Sequence, residues 1–122
     1  MDASSPINLV FVTFGSERRL DPETELILYR IAIELVTNAL KHAQARTITV
    51  QLLFHATYLS LMVEDDGVGS VAREQISAGI GIRNVRSRAN YLGAELLVDS
   101  GQSGTTLTLM VPLGQQVMSY GK

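Results

Sequence analysis

Two periods of hydrophobic alternation run along the chain, and the switches between them mark out seven elements. Ile7–Phe14, INLVFVTF, is crowded with β-branched and aromatic residues and predicts a strand. The stretch LDPETELILYRIAIELVTNALKHA then moves to helical spacing, with Asp21 as N-cap, Pro22 at the first helical position, and Glu23 and Glu25 suited to the positive end of the dipole. RTITVQLLF and YLSLMVED return to strand pattern and are expected to pair as a hairpin across His55-Ala56-Thr57. Ser70–Ala78 has no strong period and reads as loop. GIRNVRSRANYLG predicts a second helix, with Ile82, Val85, Ala89 and Leu92 on one stripe and Gly93 as its stop. AELLVDS and TTLTLMVPL close the pattern as two strands around a turn at Gly101–Gly104, and residues 114–122 read as a polar, frayed tail.

Strands adjacent in sequence, interrupted by only two helices, predict an α+β fold. The expected form is a two-layer α/β sandwich whose mixed, mostly antiparallel sheet carries its helices on one face. A length of 122 residues suits one domain spanning residues 1–122.

On the first helix, residues about 100° apart place Leu26, Leu28, Tyr29, Ala32, Ile33, Leu35, Val36, Ala39 and Leu40 on one broad half, the expected core side. The other half holds Arg30, Glu34, Thr37, Asn38, Lys41 and His42, but also Ile27 and Ile31. Glu34, Asn38, Lys41 and His42 stand at i, i+4, i+7 and i+8, so they form one stripe. Such a stripe is ordinarily a wet surface, yet two isoleucines share this one. Carboxylate and amide oxygens suit Mg²⁺, which takes one or two side-chain oxygens plus waters and phosphates, and a neighbouring ammonium suits phosphate.

Composition narrows the classes. Net charge is −2, which opposes charge-driven binding to nucleic acid or to an anionic membrane surface. No apolar run reaches the 18 residues of a membrane span, and Met1–Gly15 lacks the basic start of a signal peptide. The absence of cysteine excludes disulfides and thiolate chemistry and fits a cytoplasmic setting. Four of the ten basic residues, Arg73, Arg83, Arg86 and Arg88, fall within sixteen positions, which fits an anionic ligand or a solvated helix face equally.

Gly79 and Gly81, in GIGIRNV, lead straight into the second helix, where N–H groups unobstructed by Cβ can meet an anion. No Gly-Lys-Ser/Thr follows, so this is not a Walker loop, and no strand directly precedes it as a dinucleotide fingerprint requires. In LMVEDDGVG the strand alternates, placing Glu64 and Asp65 on opposite faces, while Asp66 reads as a turn residue. An aspartate at the mouth of a sheet can accept the exocyclic amine of adenine, whereas guanine presents an oxygen there.

In this order the pieces resemble the GHKL superfamily, and most nearly the catalytic ATP-binding domain of sensor histidine kinases. ELVTNALKHAQA looks like the N box, DDGVG like the G1 box, GIGIRNVRSRANYLGA like the G2 box and SGTTLTLMVPL like the closing G3 segment, while RRLDPETELILYRIAIE is similar to the run before the N box in the nitrate-sensor subgroup. The resemblance spans Leu9 to Leu113 and implies the Bergerat ATP-binding fold with ATP and Mg²⁺ as cofactors. It implies that Asp65 binds the adenine amine, with Gly67 and Gly69 in the pocket wall and Thr105 closing the pocket after Gly104. Asn38 would ligate Mg²⁺, Glu34 would hold a metal-bound water or act as a polarising base, Lys41 would contact phosphate and His42 would lie near the ribose or adenine. Gly79 and Gly81 would hinge a lid. The chain departs from the pattern at Ser70, where an aromatic or large apolar residue is common, in its short lid, and in the glycine spacing of SGQSGT, which leaves Gly101 without a clear role.

The resemblance implies transfer of the ATP γ-phosphate to a histidine. Neither histidine of this chain, His42 or His55, sits in the acidic helix start that the family's acceptor occupies. The expected partners are therefore a separate helical dimerisation and phosphoacceptor domain of a parent kinase, and a response regulator downstream. A membrane-anchored parent is compatible with this reading, while this domain itself is expected to be monomeric and to touch no membrane. Three other readings are weighed: a serine kinase of the anti-sigma-factor branch, an ATP-hydrolysing relative of the gyrase or chaperone kind, for whose longer lid the nine residues between Gly69 and Gly79 leave little room, and a nucleotide-binding interaction module without catalysis.

Overall fold

A computed structural model of the chain describes residues 7–42, 45–67, 80–101 and 104–113. Its elements are β1 (Asn8–Gly15), α1 (Pro22–His42), β2 (Thr47–Phe54), β3 (Tyr58–Asp65), α2 (Ile80–Leu92), β4 (Glu95–Gly101) and β5 (Gly104–Pro112). The helix ends follow local chemistry. Asp21 Oδ1 accepts the Thr24 N–H at 3.0 Å, and its Oδ2 accepts the Thr24 hydroxyl at 2.6 Å, an N-cap on α1. Gly93, at φ +68°, ends α2; its N–H donates to the Asn90 carbonyl and the Ala94 N–H to the Ala89 carbonyl, the paired bonds of a Schellman stop.

The five strands form one mixed sheet in the order β1-β2-β3-β5-β4. β1 and β2 are parallel and joined through α1, while β2–β3, β3–β5 and β4–β5 are antiparallel. This is the expected α+β sandwich. The hairpin between β2 and β3 turns at residues 55–57, and His55 stacks on Tyr58 with ring centroids 4.4 Å apart. Alternate residues of the central strands, Ile48 and Val50, then Leu59, Leu61 and Val63, then Leu107, Leu109 and Val111, are buried and pack with the helices in one core. Every second side chain points that way because a strand alternates with period two. No described helix is long and apolar enough to cross a membrane.

The buried stripe of α1 differs from the expected one. Leu28, Ile31, Leu35 and Ala39 are buried, with Ile31 at 0% exposure, whereas Leu26, Tyr29, Ile33 and Leu40 are exposed. α1 is apolar around more than half of its circumference, so its own periodicity does not locate the centre of the buried face. Its neighbours, the sheet and α2, select it, and the side they select includes Ile31. The rotation carries Glu34 and Asn38 out of a wet face and onto the core boundary, where both are half-buried next to Ile27 and Ile31.

The two isoleucines separate these alternatives. Ile31→Ala should lower unfolding free energy by about 2–5 kcal/mol, the range for a buried large-to-small change, while Ile33→Ala should stay within about 0.5 kcal/mol. Urea unfolding with unchanged slope checks this; equal costs at the two positions would contradict the buried stripe described here.

Candidate functional site

Strand directions gather the candidate residues at one end of the sandwich. β3 finishes at Asp65, which lies opposite Ile48 near the start of β2 and opposite Thr105 near the start of β5. β5 starts beside the end of β4, where Ser100 pairs with Thr105 and Gly101 with Gly104. β2 follows α1, so the C-terminal part of α1, with Asn38, Lys41 and His42, reaches the same end. α2 finishes just before β4 begins at the opposite end, and its thirteen residues span roughly 20 Å. Its first turn, with Gly81, therefore comes back to the end where Asp65 lies.

Individual environments differ. Glu34 and Asn38 are half-buried and Lys41 is exposed. His42 is the last residue of α1, and its side chain lies outside the described part, as do Gly69 and Gly79 entirely. Glu64 is exposed and Asp65 is 7% exposed, so the two face opposite sides as the alternation predicts. Asp65 Oδ1 accepts the Gly67 N–H at 2.8 Å, which orients the carboxylate and closes a tight turn onto the buried Gly67. Thr105 Oγ1 stands 3.1 Å from Ser100 Oγ.

Two residues gain roles that the sequence did not indicate. Asp66 is more than a turn residue: its Oδ1 accepts the backbone N–H groups of Arg46 at 2.8 Å and Thr47 at 2.9 Å. The donated N–H groups, that of Thr47 foremost, hold its carboxyl below the ordinary aspartate value. Gly104, at φ +138°, runs so near β3 that a Cβ on it would lie 2.0 Å from the Asp65 carbonyl oxygen. A glycine in a turn is an ordinary sight in a sequence, and only the register of β5 against β3 reveals this approach.

Among the described residues no group of three or more His, Asp or Glu side chains stands ready to cage a metal. Glu34 and Asn38, one helical turn apart, offer hard oxygens of the kind that suit Mg²⁺ when phosphates complete its shell. A separate apolar cavity of about 270 Å³ opens between α1 and β1, lined by Phe11, Tyr29, Ala32, Leu52 and others. It contains none of the candidate residues. Of its polar members, Arg18 donates from Nη2 to the His55 and Ala56 carbonyls while its buried Nε has no partner among the described residues, and Glu25 accepts from Arg19 and from the Leu20 N–H.

Gly104→Ala is expected to destabilise the fold by about 1–3 kcal/mol or more through backbone strain, read as a lower urea midpoint. An unchanged midpoint would contradict the close approach of β5 to Asp65.

The profile of the family described as histidine kinase-, DNA gyrase B-, and HSP90-like ATPase matches residues 23–115. The signal transduction histidine-protein kinase/phosphatase DegS of Bacillus subtilis is 34% identical over 101 residues, covering 80% of this chain and 26% of DegS. Sensor protein VraS of Staphylococcus epidermidis is 34% identical over 95 residues, covering 77% of this chain and 27% of VraS. The chain thus spans about a quarter of the length of these curated relatives. The histidine kinase domain of the EL346 blue-light activated histidine kinase from Erythrobacter litoralis superposes with a TM-score of 0.76 at 28% identity, over 90% of this chain and 57% of that one. With the profile covering most of its length, relatives at this identity and the same arrangement of strands and helices, the chain belongs to the histidine kinase-, DNA gyrase B- and HSP90-like ATPase family.

Proposed function

We propose that this end of the sandwich binds Mg-ATP and that the chain is the catalytic ATP-binding part of a two-component sensor histidine kinase. The observation that carries the reading is the convergence of Asp65, Thr105, the first turn of α2 and the C-terminal part of α1 at one end of the fold. These residues are scattered over most of the sequence, and core packing alone does not require their polar members to meet.

In this reading Asp65 accepts the exocyclic amine of adenine. Its geometry suits that role, because the Gly67 N–H already fixes the carboxylate at the mouth of the sheet. A charge-assisted hydrogen bond contributes roughly 1.5–3 kcal/mol, or about one to two orders of magnitude in affinity. Gly67 and Gly69 form pocket wall, Thr105 closes the pocket beside Ser100, and His42 lies near the ribose or base. Asn38 supplies an amide oxygen to Mg²⁺, Glu34 orients a water or polarises the acceptor, and Lys41 at the helix end meets phosphate. Gly79 and Gly81 let backbone approach the phosphates at the start of α2. Bound Mg²⁺ would neutralise charge on the phosphates, and this chain's own contribution is positioning, which is most of what phosphoryl transfer asks of a protein.

The acceptor has to come from outside this site. His55 sits at the turn between β2 and β3 beside Tyr58, which is seven residue steps along β3 from Asp65, or roughly 23 Å. His42 belongs to the helix that frames the nucleotide. A histidine on a separate helical dimerisation domain fits this arrangement, with a response regulator as the next recipient.

The test combines the chain, Mg²⁺, γ-labelled ATP and a cognate helical-hairpin domain. The expected product is an acid-labile, alkali-stable phosphoryl adduct on the hairpin domain, with Asp65→Asn weakening ATP binding about tenfold to a hundredfold. An acid-stable adduct would instead indicate a hydroxyl acceptor and a serine kinase. Nucleotide binding without any adduct would leave a binding module without catalysis.

A further inference from the structure

We propose that Asp66 is a positioning residue for nucleotide discrimination, acting by locking the connection between α1 and β2 onto the end of β3. This inference rests on the reading of Asp65 as the adenine acceptor.

A single carboxylate oxygen, Asp66 Oδ1, receives two consecutive backbone N–H groups, from Arg46 at 2.8 Å and Thr47 at 2.9 Å. The Asp66 N–H donates back to the Thr47 carbonyl at 3.3 Å. Three hydrogen bonds therefore join one aspartate to a two-residue segment 19 and 20 positions away. On its other edge the same segment is tied to β1, where the Arg46 carbonyl accepts the Asn8 N–H at 2.9 Å and Thr47 pairs with Asn8; the Asp66 bonds are what join it to β3. It leaves α1 through Ala45, which is buried, and enters β2 at Thr47, before the first residue that pairs with β3, Ile48 opposite Asp65. Asp66 extends the β2–β3 ladder by one step beyond its last pair, with its own N–H and with its side chain where the strand has run out.

The location gives the clamp its meaning. On one side of Asp66 is Asp65, turned inward and bonded to Gly67. On the other side of the clamp is the C-terminal end of α1, the helix of Glu34, Asn38 and Lys41. The base-reading carboxylate and the metal- and phosphate-facing helix lie on different elements, and the Asp66 bonds tie the end of β3 to the Arg46–Thr47 segment that follows α1. Asp66 is itself exposed, and its Oδ1 is occupied by the Arg46 and Thr47 N–H groups, so its proposed role is to position rather than to contact nucleotide. Binding that depends on a group held in place loses specificity when the hold is loosened, because the preferred base then no longer meets a fixed acceptor.

Three variants separate geometry from charge. Asp66→Asn keeps a short acceptor oxygen and removes the charge. Asp66→Glu keeps the charge but moves the oxygen away by one methylene. Asp66→Ala removes both. Calorimetric titration of each variant with Mg-ATP and Mg-GTP, beside urea unfolding, gives the affinities, their ratio and the stability. Wild type should prefer ATP. The Ala and Glu variants should lose about tenfold in ATP affinity and most of the ATP-over-GTP preference, while Asn should retain both within about threefold. A lower urea midpoint with the preference intact would make Asp66 purely structural and overturn the inference. Rescue by Glu and loss in Asn would point to a charge effect and overturn it as well. Failure of wild type to bind Mg-ATP, or equal binding of both nucleotides, would defeat the reading of Asp65 and this inference with it; wild-type preference without any effect of Ala or Glu would defeat this inference alone.

Discussion

Strand β3 is paired along both edges, and the position of its last residue governs the rest of the candidate site. β5 pairs with all of it and β2 with Leu59 to Asp65, so its register is doubly determined. A slip of one residue would turn Leu59, Leu61 and Val63 out of the core and bring Glu64 inward in place of Asp65. The core thus sets which acid is buried. Burying a carboxylate is costly without hydrogen bonds, and Asp65 has the Gly67 N–H to offset that cost. Gly104 completes the constraint from the other side, since only a residue without Cβ lets β5 lie against the Asp65 carbonyl.

α1 meets a related constraint with a different solution. One flank must fill the core, and it does so with Leu28, Ile31, Leu35 and Ala39. Glu34 and Asn38 stand at the border of that flank, half-buried, where packing restricts their rotamers without enclosing them. A metal or phosphate contact built there would be better ordered than one on a freely solvated face. The parallel β1–α1–β2 unit and the Asp66 bonds then fix where the helix ends relative to β3.

Much of the fold was legible because its boundaries are written in local chemistry. Asp21-Pro22 starts α1 and Gly93 stops α2 through bonds among neighbouring residues, and period-two runs mark β2 and β3 within a residue or so. The buried face of α1 was not legible: a helix apolar around most of its girth carries no internal record of which side its neighbours will take. The same limit hid Asp66 and Gly104, whose partners lie 19 to 39 residues away and are brought near only by strand pairing. The candidate residues Asp65, Asn38, Glu34, Lys41 and Thr105 were legible as motifs in order, and the topology brings Asp65, Thr105 and the C-terminal part of α1 to one end. Gly69 and Gly79, and the side chain of His42, lie outside the described residues.

The central claim is that nucleotide occupies the end of the sandwich framed by β3, β5, α1 and α2. Amide chemical shifts of the isotope-labelled chain, followed as Mg-ATP is added, test it most directly. The largest changes are expected at Asp65, Gly67, Gly81 and Thr105, with smaller ones at Asn38 and Lys41 and almost none at His55 or Tyr58. Changes centred instead on Phe11, Tyr29 and Leu52, around the apolar cavity beside β1, would contradict it.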